Sequence, residues 1–113
     1  MELYITVLMR YDDDDHRDPD YVSSVKVFKH FKDAYDYINK ETIEELIDII
    51  NDRELKYKEV KKYVNKTDTE YKYKYKPEIL KNKKLLDSMY EEFAVGNFVP
   101  YKFMWKIYPY SIE

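Results

Sequence analysis

Near the N-terminus, Leu3, Ile5, Val7 and Met9 alternate with Tyr4, Thr6, Leu8 and Arg10. Successive side chains of a strand point to opposite faces, so this period of two commits the chain to a sheet. Leu8 falls among the side chains of the second face, which predicts partial burial there as well. Residues 22–28 form another β-rich run, with Val25 and Val27 on one face and Lys26 on the other. Between the two runs, residues 12–20 are polar and carry Pro19. Two strands joined by such a loop predict an antiparallel hairpin.

From Lys32 the spacing becomes helical, with Ala34, Tyr37 and Ile38 on one side. Thr42 and Glu45 fit a capping box ahead of Ile43, Leu46, Ile47 and Ile50, either as a fresh helix after a break near Lys40 or as a continuation. Leu55, Val60, Tyr63 and Val64 predict a further helical segment ending before Thr67. Tyr71, Tyr73 and Tyr75 then alternate with Lys72, Lys74 and Lys76, the pattern of a short exposed strand. Pro77 stops that strand and suits the first turn of a helix whose inner stripe is Ile79, Leu86, Met89, Tyr90 and Phe93. Gly96 is its natural C-terminal stop. A last strand places Tyr101, Phe103, Trp105 and Ile107 on one face and Lys102, Met104 and Lys106 on the other, bracketed by Pro100 and Pro109. The predicted class is α+β: one domain over residues 1–113, in the order ββ-α-α-β-α-β, with helices packed on one face of a small antiparallel sheet.

Composition narrows the chemistry. A chain of 113 residues suits a single core, and 14 tyrosines make that core unusual, because a buried phenol needs a hydrogen-bond partner. Lys, Asn, Ile and Tyr all have A/T-rich codons, so part of this enrichment reflects the gene's base composition rather than selection. Cysteine is absent, which excludes disulfides and thiolate metal sites. A single glycine excludes a Gly-rich phosphate loop, and none of the four serines lies in a nucleophile elbow. The first apolar run is too short and too soon acidic for a signal peptide, and no stretch reaches a membrane span. The expected setting is intracellular and cytoplasmic. Charge is uneven: net −8 over residues 1–52, +7 over 53–84 and −2 over 85–113. Acidic and basic parts can complement each other within one fold or between copies.

At Val27, Phe28, Lys29, His30, Phe31, Lys32, Asp33, Ala34, Tyr35, Asp36, Tyr37 and Ile38, the join from strand to helix resembles that of small uncharacterised proteins of phages and large DNA viruses. In those proteins the join likewise follows an N-terminal strand and a variable acidic loop. Its physics is simple: the strand delivers Phe28 to the core, and Ala34 lets the helix lie close to the sheet. The resemblance implies a viral origin, covers about the first third of the chain, and carries over no functional residue.

Three functional classes follow. The first is a non-enzymatic protein-interaction module, a viral accessory protein that forms a homodimer or binds a host or viral protein. Tyr101, Trp105 and Tyr110 would be its aromatic anchors, and residues 71–76 an edge for pairing. The second is a single-strand nucleic-acid-binding domain in which Tyr71, Tyr73 and Tyr75 stack on bases while Lys72, Lys74 and Lys76 meet phosphates. The third is a metal-dependent enzyme at residues 12–20, where Asp12, Asp14, Asp15 and His16 are the candidate ligands. That loop lacks the glycine and the twelfth-position glutamate of an EF-hand, and reads equally as a solvated hairpin tip. His30, at the strand-to-helix turn, reads as structural. No cofactor is expected.

Overall fold

A computed structural model describes residues 1–11, 19, 21–69, 71–95 and 102–112. The fold is α+β, with a small antiparallel sheet and helices. The chain divides into two compact units, Met1–Asn39 with Ala94–Glu113, and Lys40–Phe93.

The first unit is built on a three-stranded sheet. Strand β1 (Glu2–Arg10) lies between β2 (Tyr21–Phe28) and β5 (Phe103–Ser111), antiparallel to both. The β1–β5 ladder runs on past the strand ends, through Tyr11 N–H donating to the Lys102 carbonyl at 2.9 Å and Ile112 N–H to the Met1 carbonyl at 2.8 Å. The middle of β1 is buried on both sides: Thr6 and Leu8 on one face, Val7 and Met9 on the other. Thr6, the most deeply buried polar residue here, donates its hydroxyl to the Lys26 carbonyl at 3.2 Å.

Two features of this sheet depart from simple alternation. Thr6 pairs with Lys26 but Val7 pairs with Ser24, so Val25 is the extra residue of a β-bulge. The bulge puts Val22, rather than Val25, in register with Val27 on the face of Ile5 and Met9. Pro109 does not end β5; it lies inside it, opposite Tyr4. Since β5 is an outer strand, a residue without an N–H fits there with its nitrogen turned away from β1.

Helix α1 (Phe31–Asp52) starts where the His30 carbonyl accepts from the N–H groups of Asp33 and Ala34, and Asp33 complements the helix dipole. It continues through Lys40 and Thr42 without a break, so the second unit begins inside it. It ends with Glu54 in the left-handed region at φ 51°, a position that favours glycine, and the Glu54 N–H returns to the Asn51 carbonyl at 3.1 Å.

In the second unit, helix α2 (Tyr57–Val60) is one turn long, and β3 (Val64–Lys66) pairs antiparallel with β4 (Tyr73–Tyr75). Val64 therefore belongs to a strand and not to the predicted helix; its spacing from Val60 fits either period, and β4 decides. After Pro77 the chain makes a 3₁₀ turn, Pro77–Lys81, before helix α3 (Lys83–Ala94). The interruption is set by Asn82, whose side-chain oxygen accepts from the Leu85 N–H at 3.1 Å and caps α3. The expected stripe is buried at Ile79, Leu86, Met89 and Phe93 and half-buried at Tyr90. With Ile43, Leu46 and Ile50 of α1, Val60, and Val64, these residues make the unit's apolar interior. Each buried aliphatic side chain contributes about 1.5–3 kcal/mol. Gly96 and Pro100 lie outside the described residues.

Candidate interaction surfaces

Residues directly opposite in antiparallel strands share a face, so the ladder registers sort the side chains of the first unit. One face holds Tyr4, Thr6, Leu8, Phe28, Phe103, Trp105 and Ile107. The start of α1 packs there. Tyr37 meets Phe28 at 5.3 Å and Trp105 edge-on at 5.8 Å, and Phe31 meets Tyr4 at 5.7 Å between ring centroids. The Lys26 ammonium lies over both Phe28 and Tyr37, at 5.4 and 5.2 Å. Phe103 is sealed and Trp105 half-buried, so the aromatic side of β5 is used inside the unit.

The opposite face is apolar too, and much of it lies open. Leu3, Ile5, Val7 and Met9 run down its centre, with Val22 and Val27 on one side and Met104, Lys106, Tyr108 and Tyr110 on the other. Val22 and Val27 are each 54% exposed, Tyr108 45% and Tyr110 57%, so the flanks of this face remain in solvent. Val27, Ile5 and Tyr108 form an unbroken apolar row across all three strands. Of the predicted anchors, Tyr110 is on this face, Trp105 is on the other, and Tyr101 lies outside the described residues. Val22, Val27 and Tyr108 are not among the predicted anchors, because nothing local in the sequence distinguishes them from core residues.

The tyrosine–lysine run of the second unit is arranged differently. Tyr73 and Tyr75 share a face with Val64 and Lys66, while Lys74 and Asn65 share the other. Tyr73 is buried, and its hydroxyl donates to the Leu55 carbonyl. Its backbone is held as well: its N–H donates to Asn51 Oδ1 at 2.9 Å, and its carbonyl accepts from Asn51 Nδ2 at 3.4 Å. Asn51 thus occupies the side of β4 away from β3, as a neighbouring strand would. Lys72 and Lys74 are exposed, whereas Tyr71, Tyr75 and Lys76 are half-buried. A strand tracking the lysines would not meet the Tyr73 ring. Lys83, farther on, pairs with Asp87 at 3.1 Å.

Beside this hairpin is a half-open cleft of about 420 Å³ lined by Lys56, Tyr57, Lys66, Thr67, Thr69, Tyr71 and Tyr73. The Lys66 ammonium lies 4.7 Å from the Tyr57 ring centroid, and Tyr57 leans on Tyr73 at 6.3 Å. Tyr71 adopts φ 62°, rare for a residue with a Cβ. The loop that holds it is fastened by Thr67, whose hydroxyl donates to the Lys72 carbonyl at 2.8 Å.

Asp12, Asp14, Asp15 and His16 lie outside the described residues, and among those described no three His, Asp or Glu side chains converge as metal ligands. His30 is exposed, its carbonyl serving the start of α1. The Tyr63 phenol has a strongly displaced proton affinity. Burial first, and then its 2.9 Å hydrogen bond to Glu92, push it up to about 12. No described helix is long and apolar enough to cross a membrane. No protein-family model, curated protein or solved structure matches the chain.

Proposed function

We propose that this chain is a non-enzymatic protein-interaction module that associates with a second copy of itself through the three-stranded sheet. One observation carries the reading: Val22, Val27, Tyr108 and Tyr110 stand about half in solvent on one face of the sheet, which is apolar apart from Ser24 and Lys106. Contiguous exposed apolar patches on a folded chain mark association surfaces. The edges of the sheet favour a like partner. Strand β2 is outermost, contains no proline, and has a single charge, Lys26, which is drawn over the rings of the other face. A second β2 laid antiparallel across a two-fold axis would meet no like-charge repulsion on the open face. The strand-to-helix join at residues 27–38 supports reading the module as a viral accessory protein.

Native mass spectrometry and light scattering test this directly. A dimer is expected for the natural chain and a monomer for the double variant Val27→Lys, Tyr108→Glu, with melting temperatures that remain close. A natural chain that stays strictly monomeric, or a variant that dimerises equally well, would sink the proposal.

A further inference from the structure

The second unit carries a site of a different kind, and its case does not depend on the sheet. Of the four clefts described in this unit, three include carboxylates: Glu44 and Asp48 in one, Asp87, Glu91 and Glu92 in another, Glu59 and Glu92 in the third. The cleft beside β3 and β4 has none among the described residues; it offers two ammonium groups, two hydroxyls and three phenol rings. Its volume, about 420 Å³, falls within the range of small-molecule sites.

The wall is also held in place before any ligand arrives. Lys66 is steadied over Tyr57 at 4.7 Å, and Thr67 ties the hairpin loop by accepting from the Thr69 N–H at 3.3 Å while donating to the Lys72 carbonyl. Tyr71 keeps a left-handed backbone that a tyrosine seldom adopts, and strained residues of this kind gather at ligand clamps. Lysine ammonium groups beside aromatic faces recognise a phosphate attached to a flat ring.

We propose that this cleft binds a phosphorylated nucleotide unit, with Lys56 and Lys66 meeting the phosphate and Tyr57 and Tyr71 flanking the base. The same unit can arrive as a free mononucleotide or as the 5′-phosphorylated end of a single strand. The test is an amide-resolved NMR titration of the full chain with adenosine 5′-monophosphate, adenosine, inorganic phosphate and a 5′-phosphorylated oligothymidylate. Saturable shifts in residues 66–73 are expected with the mononucleotide, with adenosine or phosphate alone at least about tenfold weaker. Lys56→Gln and Lys66→Gln should each weaken binding by about tenfold, while Lys66→Arg, which keeps the cation over Tyr57, should restore most of it. An oligonucleotide binding more tightly than the mononucleotide, with the same lysine dependence, would assign the strand end as the source. Absence of saturation at about 10 mM, phosphate alone binding as well as the nucleotide, or shifts indifferent to both lysines would overturn the proposal.

Discussion

The two antiparallel ladders of this protein are built from similar residues and finished in opposite ways. In the first unit the sheet presents Tyr108 and Tyr110 to solvent, and its β2 edge has no neighbouring strand among the described residues. In the second unit the short β3–β4 ladder buries Tyr73, and Asn51 satisfies the backbone on its outer side. An alternating pattern of rings therefore reports that a segment is extended and nothing about whether its rings are covered. Burial is decided by what lies behind the strand, and that partner is remote in sequence.

Comparing the two faces of β5 gives the largest expected effect. Phe103 is 1% exposed and Tyr110 57% exposed on the same strand. Phe103→Ala should cost about 3–5 kcal/mol in urea unfolding, whereas Tyr110→Ala should stay within about 0.5 kcal/mol when measured on the monomer. Equal losses would mean that the face described as open is covered. Next in size is Asn51→Ala, which removes a hydrogen-bond partner from both the N–H and the carbonyl of Tyr73. Its expected cost is about 2 kcal/mol in the denaturant midpoint, and a neutral result would show that the outer side of β4 needs no partner.

The smallest effect concerns Tyr63. Its native proton affinity lies above the ordinary value of 10.0, so the folded chain keeps a proton that the unfolded chain releases. The stability linked to this phenol is complete below pH 10 and is lost as the pH rises through about 12. Ultraviolet titration should show a late-ionising component in the natural chain that is smaller by one tyrosine in Tyr63→Phe. Loss of the hydrogen bond to Glu92 should cost the variant about 1 kcal/mol at neutral pH, with a shallower decline in alkali. A variant whose alkaline titration matches the natural chain would assign the late phenol elsewhere.

Much of the architecture was legible in the residues. The strands at residues 2–10 and 103–111 declare themselves by period two, and the stripe Ile79, Leu86, Met89 and Phe93 is buried as its spacing implies. Three features were not legible. The bulge at Val25 carries no glycine and has no local signature; it exists because of its pairing with β1. Asn82 resembles any helical surface residue until its cap is seen. Asn51 lies 22 residues from the strand it clasps, a distance that no periodicity spans. The basic, aromatic composition of the cleft could be read from the chain, but not its grouping: Lys56 and Tyr57 reach Lys66 and Tyr71 only because β3 and β4 fold back beside α2.

Pro109 has one more effect. A sheet that can be extended from both margins is a template for fibres, since every copy added exposes a fresh site for the next. A ring nitrogen within β5 spoils one of those margins, while the other, Tyr21–Phe28, stays usable. On the proposed pairing through β2, growth along the hydrogen-bonding direction ends after a single joining event, so a sticky strand is kept without a filament.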